Sequence, residues 1–386
     1  MIALLLALIY ICFVSLGLPD SLLGSAWPIL HAELGVPSSF AGIVSTIISL
    51  GTIVSSLLSD RLVRKWGAGI ITAVSVAMTA IALFGFSISG QFWMLVLWSI
   101  PYGLGAGGVD AVLNNYVALH YKPQHMSWLH CFWGVGASIS PYIMSFALLK
   151  LEDWSAGYFI VSLIQIVLSV IIFLSLPLWK KGMEAGDGED AVTSAPLSLR
   201  EICRVPGAIP CFILFFGYCA LEMSASLWAS SFLVEAREVE PEIASAFASL
   251  FYIGITLGRG LNGFLAMKFK DRALIRAGLA IISVGVVLLL LPLSSVVALV
   301  GFVVVGLGCA PVYPCIIHMT PELFGKERSQ AMIGVQMAAA YSGFLLVPPL
   351  VGIIGDVFGI FLLPVCLLVL LVSIVVMHEL VVKKTK

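Results

Sequence analysis

Residues 3–30 read ALLLALIYICFVSLGLPDSLLGSAWPIL, an apolar run interrupted near its middle by Pro19 and Asp20. About 20 consecutive apolar residues suffice for a helix to cross a bilayer, so the stretch reads as a membrane span. It lacks a basic leading region and an A-x-A cleavage site, so it is expected to be a first span and not a signal peptide. Proline removes a backbone donor and breaks the helical ladder, which predicts a discontinuity at Pro19. A carboxylate at that depth is costly, and by default it faces a bundle interior or a watery pathway. Either Asp20 caps the amides freed by the break, or it titrates during a transport cycle.

The rest of the chain repeats the pattern. Of its 386 residues 60% are hydrophobic and 11% are charged, against about 25% charged in a soluble domain. Apolar stretches fall at 3–30, 38–60, 68–88, 91–120, 126–149, 155–179, 206–234, 243–267, 273–292, 295–321, 329–352 and 357–379, which predicts twelve spans. The connection 181–205 carries Gly-Asp-Gly-Glu-Asp and Thr-Ser-Ala-Pro and reads as a linker between residues 1–180 and 206–386, six spans each. Of the 20 Lys and Arg, Lys150 and Arg237 alone lie in one set of loops, Arg259 lies within a span, and the others lie at the opposite ends. The positive-inside rule then places both termini and the linker in the cytoplasm.

Composition also excludes. A net charge of −1 gives no basic surface for nucleic acid. Eight scattered cysteines with no CxxC pair argue against a disulfide framework or a zinc site. No nucleophile–base pair, phosphate loop or metal cluster is apparent, so no catalytic or metal-ligating residues and no cofactor are expected. The loops are too short for a signalling domain, which disfavours a receptor or scaffold.

The halves echo one another. Gly103-Leu104-Gly105-Ala106 in span 4 matches Gly306-Leu307-Gly308-Cys309 in span 10, and Gly51 and Ser56 in span 2 match Gly258 and Gly263 in span 8. Asp20 precedes Trp27 as Glu222 precedes Trp228. Small residues recur in any helix bundle because they permit close packing, but three matches in order point to a six-plus-six duplication. Such duplications build transporters whose substrate site lies near the midplane. The expected fold is therefore an all-α membrane protein of twelve transmembrane helices in two pseudo-symmetric six-helix bundles.

Ser56-x3-Asp60-Arg61-x2-Arg64-Lys65 after span 2, with the six-plus-six topology, resembles the major facilitator superfamily, whose loop motif is G-x3-D-R-x-G-x-R-R. Ser56 and Val63 replace its glycines, and the basic pair falls one position early. The resemblance implies a gate-latching role for Asp60 and Arg61. Gly17-Leu18-Pro19-Asp20-Ser21 through Trp27-Pro28, Leu129-His130-Cys131-Phe132-Trp133-Gly134-Val135-Gly136 followed by Pro141, and Glu222 with Trp228 are similar to motifs of the fucose–proton symporter group. That similarity implies proton-coupled transport of a sugar.

The candidate residues follow. Asp20, Asp110 and Glu222 are candidates for proton coupling. Asp110 and Asn114 share a helix face at i, i+4, with Asn115 adjacent; they grip hydroxyls or glue span 4 to a neighbour. His130, whose unperturbed pKa near 6.5 suits a shuttle, is a ligand or relay, or a core hydrogen-bonder. Trp133 and Trp228 could stack on a pyranose, whereas Trp27 reads as an interfacial anchor. Tyr313 and Gln336 join the substrate set by pseudo-symmetry, and His318 is read as structural. Arg259 is a gating or structural cation that could pair with Glu222.

The leading function is proton-coupled symport of a monosaccharide or similar polar solute by alternating access. The alternative is proton-antiport efflux of drugs or amphipathic, lipid-like molecules. The coupling ion is expected to be H+, with Na+ open. The expected setting is the lipid bilayer of a plasma membrane, most simply a bacterial inner membrane, with a small-molecule substrate and a monomeric chain.

Overall fold

The computed structural model describes residues 2–185 and 197–385, and contains no strand among them. Much of the linker expected at 181–205, residues 186–196, lies outside the described residues. The helices are α1 (Ile2–Gly17), α2 (Leu22–Glu33), α3 (Ala41–Trp66), α4 (Ala68–Ser87), α5 (Phe92–His120), α6 (Pro123–Phe146) and α7 (Trp154–Ala185). They continue as α8 (Leu199–Arg204), α9 (Ala208–Ser231), α10 (Pro241–Leu265), α11 (Asp271–Leu290), α12 (Ser295–Phe324), α13 (Lys326–Phe358) and α14 (Leu363–Lys384).

Among the described residues eleven helical stretches are long and apolar enough to cross a membrane, with α1 and α2 counted together as one. The 25-residue α10 occupies the place of the eighth expected span. Observed ends differ from the expected ones where polar residues extend a helix beyond its apolar run. Helix α13 begins at Lys326 and ends at Phe358, and α7 continues through Lys180 and Lys181 to Ala185. The segment before α9 is not all irregular. Ser198 and Glu201 form a reciprocal capping box that starts the short α8, satisfying backbone donors that a helix start otherwise leaves open.

The chain forms two compact units, Met1–His120 with Leu129–Pro196, and Tyr121–Trp128 with Leu197–Lys386. The first turn of α6 groups with the second unit for a steric reason. Trp128 fills the space beside Gly263, where a Cβ would lie 2.0 Å from its Nε1. Ser127 Oγ also accepts from Asn262 Nδ2 at 2.7 Å.

The two units use glycine in the same way. A Cβ on Gly103 of α5 would lie 2.3 Å from the Ile48 carbonyl oxygen of α3, and one on Gly306 of α12 would lie 2.8 Å from the Phe251 carbonyl oxygen of α10. Two residues on, a Cβ on Gly105 would meet the Ser75 carbonyl of α4 at 2.6 Å, and one on Gly308 would meet the Ile282 amide of α11 at 2.6 Å. Each G-x-G therefore lets one helix approach two neighbours on opposite sides, which side chains would hold apart. The duplication read from the sequence is thus a duplication of packing.

Candidate functional site

In the first unit the break between α1 and α2 spans Leu18–Ser21, at Pro19. It presents Asp20 with its side chain exposed. Helix α6 passes beside it at backbone contact distance, since a Cβ on Gly17 would lie 2.1 Å from the Trp133 carbonyl oxygen and one on Gly136 would lie 2.1 Å from that of Val14. This close approach explains the glycine in the α6 motif. It also places the Trp133 indole on the carboxylate, where Nε1 donates to Asp20 Oδ2 at 2.8 Å. Tyr102 of α5, 4% exposed, directs its hydroxyl at Oδ1 from 3.5 Å, a long contact beside the usual O–H···O range. Asp20, Trp133 and Tyr102 thus combine an exposed acceptor, a half-buried aromatic face and a hydroxyl.

A second polar group lies deeper. Asp110 is 3% exposed and Asn114 is fully buried. Asn114 Nδ2 donates to Asp110 Oδ1 at 2.8 Å and to the Asp110 carbonyl at 3.0 Å. Asn114 Oδ1 lies 3.0 Å from His130 Nε2. The Phe13 ring meets His130 edge-on, with centroids 5.4 Å apart. Asn115 is also buried, and its Oδ1 has no hydrogen-bond partner.

In the second unit Glu222 and Arg259 form an ion pair at 3.5 Å, with Arg259 3% exposed. The Arg259 guanidinium sits 5.8 Å from the centroid of the Tyr313 ring. Tyr218, one turn before Glu222, directs its hydroxyl at both Glu222 Oε2 and the Cys309 carbonyl. A tyrosine hydroxyl has one hydrogen to give. A proton on Glu222 would complete a chain from Glu222 through Tyr218 to the carbonyl, whereas ionised Glu222 takes the tyrosine hydrogen and pairs with Arg259.

Of the remaining candidates, Tyr313 borders the Arg259 group, and Gln336, Trp228 and Asp60 make other contacts. Gln336 is fully buried, donating to Cys211 Sγ at 3.0 Å and accepting from Thr320 Oγ1 at 3.0 Å. Tyr313 directs its hydroxyl at Met337 Sδ, 3.3 Å away. Trp228 donates to the Pro348 carbonyl at 2.9 Å and packs so closely on Gly352 that a Cβ there would lie 2.4 Å from its ring. Asp60, 6% exposed, takes Arg64 Nε with both oxygens, at 2.9 and 3.0 Å, while Arg61 is exposed. His318 pairs with Asp271 at 2.7 Å. Tyr102 and Tyr218 were not singled out from sequence. Tyr218 could have been found by its i, i+4 spacing to Glu222, whereas Tyr102 reaches Asp20 across two helices and left no local signal.

The Major Facilitator Superfamily model matches residues 9–239 and 211–385. The chain belongs to this superfamily of transporters. The chain is 23% identical over 386 residues to the yeast (Saccharomyces cerevisiae) "Bypass of stop codon protein 6", covering 92% of this chain and 77% of that one. It is 19% identical over 351 residues to the Bacillus subtilis glucose/mannose transporter GlcP, covering 87% and 84%. The crystal structure of FucP, a fucose:proton symporter of E. coli, matches with a TM-score of 0.80 at 14% identity, covering 97% of each chain. At that identity the structural match speaks for the fold alone, the major facilitator fold, which resembles that of the fucose–proton symporter.

Proposed function

We propose that the protein is a proton-coupled symporter of a monosaccharide or a similar polar solute, working by alternating access. The observation that carries this reading is Asp20. It is an exposed carboxylate at the break of a membrane span, held by the indole nitrogen of Trp133 and faced by the Tyr102 hydroxyl. A carboxylate accepts hydroxyl hydrogens, a tyrosine hydroxyl both gives and accepts, and an indole offers an apolar face. Together these suit a ring bearing hydroxyls. The printed functions of GlcP and FucP, a glucose/mannose transporter and a fucose:proton symporter, agree with such a substrate.

Asp20, Asp110 and Glu222 are the proposed proton-coupling carboxylates, and Arg259 is the fixed cation against which Glu222 changes state. Asp60, Arg61 and Arg259 are the proposed gating residues, with Arg64 held by Asp60. The proposed setting is a plasma membrane with both termini cytoplasmic, following the distribution of Lys and Arg.

The test is charge movement in proteoliposomes on a solid-supported membrane, challenged with hexoses, pentoses and polyols at fixed pH without sodium. A saturable inward positive current with one sugar supports the proposal and identifies the substrate class. Silence across the panel, with current appearing only on sodium addition or with amphipathic cations, refutes it.

A further inference from the structure

The superfamily and the motifs direct attention to single carboxylates, yet the geometry of the first unit links three residues. Asn114 uses its amide in full. Its nitrogen serves the Asp110 carboxylate and carbonyl, and its oxygen faces His130. With no exposed surface of its own, Asn114 has no donor left for a solute hydroxyl. We propose that His130 and Asn114 are positioning residues of Asp110. His130 sets the proton affinity of that carboxylate through the Asn114 amide, leaving Asp20 and Trp133 to meet the solute. This rests on the proposed symport and deepens it.

The orientation of the bridge follows from donor and acceptor chemistry. An ionised carboxylate only accepts, so Asn114 must turn its NH2 group toward Asp110 and its oxygen toward His130. The oxygen accepts, so His130 Nε2 carries a hydrogen. Titration of His130 then occurs at Nδ1, and the bridge stays intact in both charge states. A proton cannot pass along the amide without converting it to the imidic form, so the coupling is electrostatic. Positive charge on His130 polarises the Asn114 amide and favours ionised Asp110; a proton on Asp110 removes the charge that favours protonated His130. Burial of both partners strengthens this exchange, because water does not screen it.

The groups around the three can be named. The α1–α2 break brings Asp20, which faces the Tyr102 hydroxyl, and α1 brings Cys12, on a small pocket shared with Val109, Tyr102, Thr79 and Gln165. Helix α3 brings Ser55, and α4 brings Ser75, both against Gly108; the charged pair Asp60–Arg64 lies farther along α3. Helix α7 brings Gln165, whose Nε2 donates to the Ser15 carbonyl, and Tyr158, which lies in the same buried cluster as Tyr102. Of the groups named, Arg64 alone carries a fixed positive charge, and it is paired with Asp60; a protonated His130 adds a positive charge beside the Asn114 amide.

The experiment uses the full chain, labelled with 15N-histidine, in lipid nanodiscs. Six histidines are present, and the His130 signals are those lost in His130→Gln. The expected result is a neutral form protonated at Nε2, and a midpoint that falls by about one pH unit in Asp110→Asn, a tenfold loss of proton affinity. A neutral form protonated at Nδ1, or a midpoint that moves by less than about 0.2 units in Asp110→Asn, overturns the proposal. This arm needs no transport, so it stands or falls apart from the symport reading.

A second arm covers misfolding of Asp110→Asn. His130→Gln keeps an N–H donor but never carries charge, so Asp110 should hold its proton more tightly. Half-maximal uptake should then move to higher pH, with KM at saturating proton concentration within about twofold of the parent protein. An unmoved pH profile, with or without a rise in KM, assigns His130 to packing or to direct solute binding and overturns the proposal.

Discussion

The Glu222–Arg259 pair allows a double-mutant cycle whose two single variants should differ in a direction set by chemistry. At 3.5 Å and an effective dielectric of about 20, the gross attraction is about 5 kcal/mol. Desolvation offsets much of it, but removing one partner of a buried pair commonly costs about 3–5 kcal/mol because the other charge is stranded. The two strandings are unequal. Glu222 left alone can take a proton and remain hydrogen-bonded to Tyr218, whereas an arginine does not give up its charge in a protein. Glu222→Gln should therefore cost about 3–5 kcal/mol. Arg259→Met should cost less, and the double variant should recover to within about 1–2 kcal/mol of the parent. The assay is unfolding by SDS in mixed micelles, followed by tryptophan fluorescence, on the parent and all three variants. If Arg259→Met costs more than Glu222→Gln, or if the single effects simply add, the argument from stranded charge is refuted.

The contact of α1 with α6 makes a sharper steric prediction. Gly136→Ala places a Cβ against a carbonyl oxygen 2.1 Å away, whereas a Cβ at Gly24 meets nothing within 4 Å. Gly136→Ala should lower the folded fraction on size exclusion, since overpacking costs about 1–3 kcal/mol, while Gly24→Ala should match the parent. Asp60→Asn should slow turnover with little change in KM, because it releases Arg64 at the end of α3; initial rates over a substrate series check this, and a large KM change at normal turnover would contradict gating. The Ser198 hydroxyl and amide hold the exposed Glu201 carboxyl below its ordinary range, aided by Arg204. A depressed carboxyl adds stability above its unfolded pKa and loses it as pH falls through the folded value. Deuterium uptake in α8, corrected for intrinsic rate, should therefore rise on acidification below the usual carboxylate range, and Ser198→Ala should show the high uptake already at neutral pH.

What the sequence made legible was whatever a single helix carries within itself. Apolar length located the spans, Pro19 located the break in the first, and the G-x-G pairs of α5 and α12 located the repeat and its packing. Rotation about each helix axis was much harder to read. Pseudo-symmetry put Tyr313 and Gln336 at a plausible depth, but it could not tell that Gln336 turns to Cys211 and Thr320. The pairing of Asn114 with Asp110 follows from i, i+4 spacing, yet the arrival of His130 on the other end of that amide depends on how α6 rests on α1. That contact is fixed by Gly17 and Gly136, which a one-dimensional reading sees only as small residues. Tyr102 was missed for the same reason, since its partner lies on another span.

The central claim is that sugar and proton move together and that Asp20 is needed for both. The most direct measurement is lumenal pH in proteoliposomes, read with a trapped dye while sugar is added outside without an imposed gradient. The account predicts lumenal acidification that saturates with sugar in the parent protein and is absent in Asp20→Asn. Sugar entry at the parent rate with no acidification, or acidification that persists in Asp20→Asn, would contradict it.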